Sequence, residues 1–501
     1  MENQRKRAKY NIVFSLLGQL TAIICGLIVP RILIGEYGSE AYGATASITQ
    51  FLAYIALLDG GISGVARAAL YKPLAMRDYN KVGEILNEIK RFFRIISLIF
   101  LAYVVVLACS FKHISGIKCF DWFSTFLLVV VISISTFMQY YLGVSYNILI
   151  NASQKVYITQ IITIVTTVIN AALVVFLVFA DSSLIVVKLV SSIVFASRPV
   201  FMWLYVRRHF DLSDKTGKNE IEYDNLLKQK WIGLAQHIAY VLHSNTDVVV
   251  LTLFADLKLV AVYSVYSMLI GSVEKIATAF SSGMEALFGE LLAKNEHKEL
   301  DRVFNKYERM ISFVSGILFS VTAVMLIPFV RIYTKEINDV NYIYTVFGVM
   351  LVIASYLFCI RLPYHAMVTA SGSFRQTRVA SYGEAVVNLS LSIILVIKFG
   401  LVGVAIGTVA AVSFRLVFYV IYLSKNVMNK SVGKFIRRIL INISAIVVAV
   451  PGGNMLLSLF ELSGILSWCI CAAAVTVFAT IVHLLLGVLE NIFLQNFKSA
   501  S

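Results

Sequence analysis

Long apolar runs recur from one end of this 501-residue chain to the other. We count fourteen of them, each about 20 residues long, the length of helix needed to cross a hydrocarbon core about 30 Å thick. A transmembrane β-barrel is excluded, because its strands would be about ten residues long and would alternate apolar with polar residues. With 59% hydrophobic and only 14% charged residues, the chain is predicted to be an all-α polytopic membrane protein with twelve to fourteen transmembrane helices.

Basic residues are distributed unevenly over the connections between these runs. The amino-terminal sequence MENQRKRAKY is basic and leads into a run without a convincing signal-cleavage site, so we expect a cytoplasmic start and a retained first helix. The outer connections then hold only six cations: Lys112, Lys118, Lys258, Arg331, Lys335 and Lys398. Because basic connections stay in the cytoplasm, this asymmetry predicts the orientation and explains most of the net charge of +15. A nucleic-acid partner is not expected.

A short polar phrase occurs twice. YNILINASQKVY begins at Tyr146, and YHAMVTASGSFR begins at Tyr364. We call the separation of these two tyrosines along the chain the repeat interval. With a one-residue slip, the same interval aligns Arg198 with Arg415. We interpret the phrase as a turn between two helices of each repeat, where its Asn and Ser residues suit helix capping.

The repeat divides the chain into four parts. We predict an amino-terminal six-helix lobe over residues 1–210, a cytoplasmic linker over 211–230 and a second six-helix lobe over 231–428. Residues 429–501 would add two transmembrane helices outside the repeat. Six helices return the chain to its starting side, so the lobes are expected to be parallel repeats that can rock about a central cavity.

Charged residues inside apolar runs indicate a polar interior. Each would cost about 3 kcal/mol if it faced lipid, so most must face one another, water or a lumen. The runs and their margins contain six basic and five acidic residues: Arg31, Lys188, Arg198, Lys275, Arg361, Arg415, Asp59, Asp247, Glu274, Glu285 and Glu384. Arg198, Arg361 and Arg415 lie in the cytoplasmic halves of their runs, where snorkelling to the interface or pairing within the helix explains them at least as well as ligand binding.

Two runs that correspond in the repeat each have a polar face. In the seventh run, the polar residues follow one another at helical spacing: Gln236, Tyr240, His243 and Asp247. The first run carries a similar stripe that includes Gln19 and has Arg31 at its outer end. Such stripes either line a lumen or hydrogen-bond to neighbouring helices. In the second run, Gly60 and Gly64 beside Asp59 predict close helix packing.

Sequence motifs of catalysis are absent. GxxxxGK[ST], HExxH, GxSxG and paired CxxC do not occur, and the six cysteines are scattered without metal-ligand spacing. The chain is therefore not expected to be an enzyme, to hydrolyse ATP, or to bind a cofactor or a metal.

The first seventy residues resemble a known family. The pattern comprises Pro30–Leu33 at the end of the first run, Tyr42–Gly43 after a short outer turn, and Leu57–Ile62 in the second run. It is similar to the opening of the bacterial polysaccharide (O-antigen type) flippases of the multidrug/oligosaccharidyl-lipid/polysaccharide (MOP) exporter superfamily.

This resemblance implies a V-shaped pair of six-helix lobes. Proteins of this kind move a polyprenyl-pyrophosphate-linked oligosaccharide from the cytoplasmic to the outer leaflet by alternating access, for surface polysaccharides such as O-antigen, lipopolysaccharide or capsule. The implied location is the bacterial cytoplasmic (inner) membrane, with the N-terminus in the cytoplasm. The implied partners are membrane lipids and a polysaccharide polymerase with its chain-length machinery.

The resemblance also implies that helices one, two, seven and eight line the central cavity. The predicted substrate-binding residues are Arg31, Lys275, Gln19, Gln236, Tyr240 and Arg361. The predicted ion-coupling residues are Asp59, His243, Asp247 and Glu274. An alternative is a drug or cation exporter of the same superfamily, in which the acids would bind the cargo. A membrane polymerase or ligase is the weakest alternative, because it would need a long outer loop.

Overall fold

The computed structural model describes residues 2–59, 61–210, 241, 245–281, 283–428 and 431–500. These residues form helices and turns, with no strand among them. Twelve of the helices are long and apolar enough to cross a membrane. The predicted all-α polytopic fold is therefore confirmed.

The first helix, α1 (Glu2–Ala53), partly explains why fourteen apolar runs in the sequence correspond to only twelve candidate spans in the described residues. Its 52 residues would be about 78 Å long if straight, more than twice the thickness of a hydrocarbon core. Gly38 interrupts it with φ 81° and ψ 166°, values that are not helical. Glycine adopts positive φ without steric cost, so the chain kinks there, and α1 contains the first predicted run and the start of the second.

The other helices up to residue 254 follow in chain order. They are α2 (Ala56–Asp59), α3 (Ile62–Met76), α4 (Tyr79–Ser115), α5 (Trp122–Met138), a π-helical turn (Gln139–Gly143), α6 (Val144–Ala152), α7 (Val156–Phe179), α8 (Leu184–His209) and α9 (Asn245–Phe254). The segments α5, π-turn and α6 are continuous and form one candidate span.

The helices after residue 254 repeat much of this order. They are α10 (Leu257–Ala279), α11 (Met284–Ala293), α12 (His297–Tyr333), α13 (Thr345–Ile360), α14 (Leu362–Ala370), α15 (Phe374–Phe399), α16 (Leu401–Asn426), α17 (Val432–Leu457) and α18 (Ile465–Ala500). The last two correspond to the helices that were predicted to lie outside the repeat.

The chain forms two compact units, Met1–Ala261 and Val262–Ser501. Within the first unit, α9 packs against the second half of α1, where the Ser47 and Thr252 hydroxyls are 2.7 Å apart. The backbone of α1 approaches the start of α10 even more closely. A Cβ atom added to Gly43 would overlap the Leu257 carbonyl oxygen. The lobe boundaries predicted from the repeat remain a prediction, because compactness and internal repetition are different properties.

The core of the first unit forms around α4. The Asp78 side chain caps this helix by accepting a hydrogen bond from the Lys81 amide. The buried face of α4 carries Phe93, Phe100 and Phe111. Residues of α5, α6 and α8 join them in one apolar cluster, which holds those three helices in place around a polar cavity described below.

Left-handed backbone positions recur at the repeat interval. This interval separates Gln154 (φ 58°) from Gly372 (φ 64°), and it also separates Arg77 (φ 56°) from Asn295 (φ 55°). The first pair lies between α6 and α7 and between α14 and α15. The repeated polar phrase is therefore a tight turn between consecutive helices, as predicted.

The phrase's own serines cap the helices that precede the turn but not those that follow it. Ser153 and Ser371 occupy the C-cap positions of α6 and α14, where their hydroxyls donate to the Ile150 and Val368 carbonyls. The N-cap positions of α7 and α15 are Lys155 and Ser373, and neither side chain makes a capping hydrogen bond. In the first unit, Asn11 of α1 caps the start of α7 by accepting a hydrogen bond from the Tyr157 amide, and it donates one to the Gln154 carbonyl. The cap comes from a distant helix, which sequence proximity does not reveal.

Candidate functional site

The predicted site residues of the first unit lie on α1, α2 and α9. Gln19 is exposed and Arg31 is half-buried on α1. Asp59 is half-buried at the last position of α2 and accepts hydrogen bonds from the Ser63 hydroxyl at 3.1 and 3.2 Å. Asp247 on α9 is buried, with 4% of its surface exposed.

Asp59 lies at a helix break. Gly61 has φ 81° and precedes the first residue of α3, so the chain leaves the helical conformation there. Gly60 lies outside the described residues. The predicted close packing of these glycines is wrong at Gly64, where an added Cβ atom would meet nothing within 4 Å. In the second unit, Gly283 has φ 87° and precedes α11 in the same way.

The predicted site residues of the second unit are separated along the chain. Glu274 is half-buried and Lys275 is exposed on α10, whereas Arg361 is buried at the junction of α13 and α14. Three further predicted residues, Gln236, Tyr240 and His243, lie outside the described residues. The binding and coupling roles assigned to all of these residues remain predictions.

A buried ion network joins three helices of the second unit. Glu384 on α15 has no exposed surface, and it accepts hydrogen bonds from Nη1 of Arg361 at 2.6 Å and from Nη1 of Arg415 at 2.5 Å. The Tyr419 hydroxyl accepts two further hydrogen bonds from Arg415, at 2.9 and 2.8 Å. Snorkelling is therefore wrong for Arg361 and Arg415, because both side chains are held inside the protein by partners. The predicted alternative, pairing within the helix, is confirmed for Arg415, since Tyr419 lies on the same helix.

The first unit contains the same arginine without the carboxylate. Arg198, the repeat partner of Arg415, donates from Nε to the Thr166 hydroxyl at 2.7 Å and from Nη2 to the Thr167 hydroxyl at 2.8 Å. Thr166 lies one repeat interval before Glu384, so a neutral hydroxyl stands where the second unit has a charge. The Phe195 ring centre also lies 4.3 Å from the guanidinium carbon.

Arg198 lines a polar cavity of about 450 Å³ in the first unit. Side chains from the end of α5, the π-turn, α6, α7 and α8 form its wall. The polar ones include Ser135, Gln139, Asn147, Asn151, Gln160 and Thr163. Arg198 is the one charged residue of the described lining. We call this space the Arg198 cavity.

A second cavity, in the second unit, is apolar and larger. It has a volume of about 1340 Å³ and lies between α12, α13, α17 and the loop after α17. Valine, isoleucine, leucine and phenylalanine side chains form most of its wall, while Arg331 and Lys335 join it where α12 ends. Its described lining contains these two cations and no carboxylate. We call this space the apolar groove.

Comparisons with known proteins bear on the fold. No protein-family model matches the chain, and no curated protein matches it. Among solved structures, the lipid II flippase MurJ in an inward closed conformation is similar over 97% of this chain and 99% of its own, with a TM-score of 0.69 and 15% identity.

Two multidrug transporters are similar over a smaller share of the chain. A multidrug resistance MATE family transporter of the MOP superfamily, in an inward-facing conformation, covers 83% of this chain and 98% of its own, with a TM-score of 0.63 and 14% identity. The MATE multidrug transporter DinF-BH covers 84% and 95%, with a TM-score of 0.61 and 17% identity. At such identities the likeness establishes the fold. The chain is therefore a multi-pass membrane protein with the same fold as these solved structures.

Proposed function

We propose that this protein is a flippase that moves polyprenyl-pyrophosphate-linked oligosaccharides from the cytoplasmic to the outer leaflet for the synthesis of surface polysaccharide. The observation that carries this proposal is the apolar groove with its two cations, Arg331 and Lys335. A lipid-linked pyrophosphate has two matching parts, a long apolar tail and a doubly charged anionic group.

The size and chemistry of the groove suit such a cargo. Pockets for drug-sized ligands are typically about 300–1,000 Å³, and this groove, at about 1340 Å³, has room for a longer apolar chain. Arginine can bind a phosphate through two parallel hydrogen bonds, and lysine adds a point charge. An exporter of cationic drugs would instead be expected to place a carboxylate in an apolar pocket, and the described lining has none.

The share of the chain that resembles each solved structure also supports a flippase over a drug exporter. The protein named as a lipid II flippase is similar over 97% of this chain, against 83% and 84% for the two multidrug transporters. This difference in coverage is close to the fraction of the chain that residues 429–501 make up. One of the two helices in that segment, α17, forms a wall of the groove.

The remaining predictions complete the proposal. The cargo headgroup would meet Arg31, Lys275, Gln19, Gln236, Tyr240 and Arg361, and an ion gradient would act through Asp59, His243, Asp247 and Glu274. Arg361 could bind cargo only when Glu384 releases it, because the two are now paired at 2.6 Å. The protein would lie in the bacterial inner membrane, N-terminus in the cytoplasm, beside a polysaccharide polymerase and its chain-length machinery.

The test is translocation in sealed proteoliposomes. A fluorescent polyprenyl-pyrophosphate oligosaccharide is loaded in one leaflet, and its arrival in the other is followed with a membrane-impermeant quencher. We expect transfer by the wild type and a loss of at least about tenfold in the double variant Arg331→Gln/Lys335→Gln, because two charge-assisted contacts are lost. Lys398→Gln is the matched control, since it removes an exposed cation outside the groove.

A cationic dye serves as a competing cargo in the same vesicles. Transfer of the lipid that ignores the dye supports the flippase. Dye movement without lipid transfer would overturn it and favour the multidrug exporter, with Asp59, Asp247 and Glu274 as the residues to substitute next.

A further inference from the structure

We propose that the Arg198 cavity binds an acidic sugar, meaning a carboxylate attached to a hydroxyl-bearing ring. This inference rests on the proposed function, because it assigns one part of the glycan cargo to a site in the first unit. The Arg198 cavity is separate from the apolar groove. Its lining residues also lie on other helices than the four that are predicted to line the central cavity.

The first step is the comparison of equivalent positions in the two units. In the second unit, Arg361 lies beside Arg415, and the single carboxylate of Glu384 pairs with both guanidinium groups. At the corresponding positions, one repeat interval earlier, the first unit has Gly143 and Thr166. The first unit therefore keeps the arginine but lacks both the second side chain beside it and the carboxylate that would pair with it.

The second step concerns the donors that Arg198 offers. A guanidinium has five N–H donors in a rigid plane. Two of them go to Thr166 and Thr167, which leaves three without a partner among the residues that the structure describes. The two threonines and the Phe195 ring hold the plane in one orientation, so the side chain is prepared for an oxyanion with little further loss of conformational freedom.

The third step concerns the neutral part of the ligand. The amide groups of Gln139, Asn147, Asn151 and Gln160 carry both donors and acceptors, as recognition of sugar hydroxyls requires. Gly143 makes room for one of them, because a Cβ atom there would lie 2.6 Å from Oε1 of Gln139. A volume of about 450 Å³ suits a monosaccharide unit, and the wall is too polar for a lipid tail.

The fourth step concerns where the Arg198 cavity lies along the helices. The cavity is bounded by the ends of α5 and α6 and the start of α7, close to the turn that contains Gln154. The predicted orientation puts that turn on the cytoplasmic side. The cavity would therefore meet the glycan before translocation and select cargo that carries an acidic sugar.

The test uses soluble probes and the purified full-length protein in a neutral detergent. Binding of glucuronate, glucose, glycerol phosphate and inorganic phosphate is measured by saturation-transfer NMR titration. We expect glucuronate to bind at least about tenfold more tightly than glucose, since one charge-assisted pair separates them, and Arg198→Gln to remove this preference. Arg208→Gln is the matched control, because it removes an exposed arginine from the same helix outside the cavity.

A second variant protects the test against misfolding. Arg198→Lys keeps the positive charge but loses the planar fork, so we expect an intermediate affinity for glucuronate. Equal binding of glucose and glucuronate, or an Arg198→Gln protein that is folded by size-exclusion chromatography and keeps the preference, would overturn the proposal. Phosphate or glycerol phosphate binding without glucuronate binding would also overturn it, by indicating a simple anion or lipid-headgroup site. Because no step needs translocation, failure here is distinguishable from failure of the proposed flippase activity.

Discussion

Arg198 in the first unit lies against two threonine hydroxyls, whereas Arg415, its repeat partner in the second unit, lies against the buried carboxylate of Glu384. The helix that carries the arginine has been kept in both units while its neighbours have diverged. The neighbouring side chains therefore decide whether this cation is part of the internal structure or is exposed to a cavity.

The physical consequences of the two arrangements differ. A buried ion pair contributes little net stability when intact, but removing one partner leaves a buried charge without compensation. In the first unit, the polar wall of the Arg198 cavity supplies neutral hydrogen-bonding groups and space for water instead. We expect stability to depend on the ionic network in the second unit and ligand binding to depend on the arginine in the first.

The largest effect is expected from Glu384→Gln. The substitution preserves shape but leaves Arg361 and Arg415 as two buried cations, so we expect the free energy of unfolding to fall by about 3–5 kcal/mol. Unfolding in detergent during SDS titration, followed by circular dichroism, measures the change. Glu290→Gln is the control, because Glu290 pairs with Lys294 on the surface, and such exposed pairs contribute little. Similar losses in both variants would contradict the assigned role of the network.

The next effect is expected from Thr166→Glu, which gives the first unit the carboxylate of the second. The new carboxylate would pair with Arg198 and repel an anionic ligand, so we expect about a 100-fold loss of glucuronate affinity, or about 2.7 kcal/mol. The NMR titration described above measures it. Thr166→Val removes the hydroxyl without adding charge and should weaken binding far less. A Thr166→Glu protein that is folded and binds glucuronate normally would refute the equivalence of positions 166 and 384.

Several of these features follow from the sequence alone. The length of the apolar runs constrains the fold directly, because each run must cross a core of fixed thickness. The repeat interval predicts shared turns, and Gln154 and Gly372 indeed have nearly the same φ. Both inferences depend on positions along the chain, which a sequence records completely.

Contacts between helices were harder to predict. Arg361 and Arg415 were compatible with snorkelling because a sequence does not say which neighbouring helix a side chain faces. The signal was nevertheless present, since the interval that aligns the turns also aligns Thr166 with Glu384. Glycine is ambiguous for another reason: it permits either close packing or a left-handed backbone, and at Gly61 the second use occurs.

A smaller difference is expected between Tyr364→Phe and Tyr146→Phe. The Tyr364 hydroxyl donates to buried Glu308 at 2.6 Å, so its removal should cost about 1.5–3 kcal/mol, as for a hydrogen bond to a charged group. Glu308 corresponds to Lys90 in the first unit, and Nζ of Lys90 lies 4.9 Å from the centre of the Tyr146 ring. Phenylalanine keeps that cation–π contact, so Tyr146→Phe should cost less. SDS titration of both variants measures the two losses of stability. A larger loss for Tyr146→Phe than for Tyr364→Phe would contradict this prediction.

The smallest effects are expected in the repeated turn itself, where the two units share a left-handed residue but differ in its identity. Gln154 has φ 58° and Gly372 has φ 64°, and a residue with a Cβ atom disfavours this region by about 1 kcal/mol. Gly372→Ala should therefore destabilise the protein by about 1 kcal/mol, through the backbone alone, because an added Cβ atom would meet nothing within 4 Å. Gln154→Gly should relieve the same strain and stabilise the first unit by up to about 1 kcal/mol. Paired SDS titrations measure the two changes, and effects of the same sign would mean that side-chain contacts, rather than backbone conformation, dominate this turn.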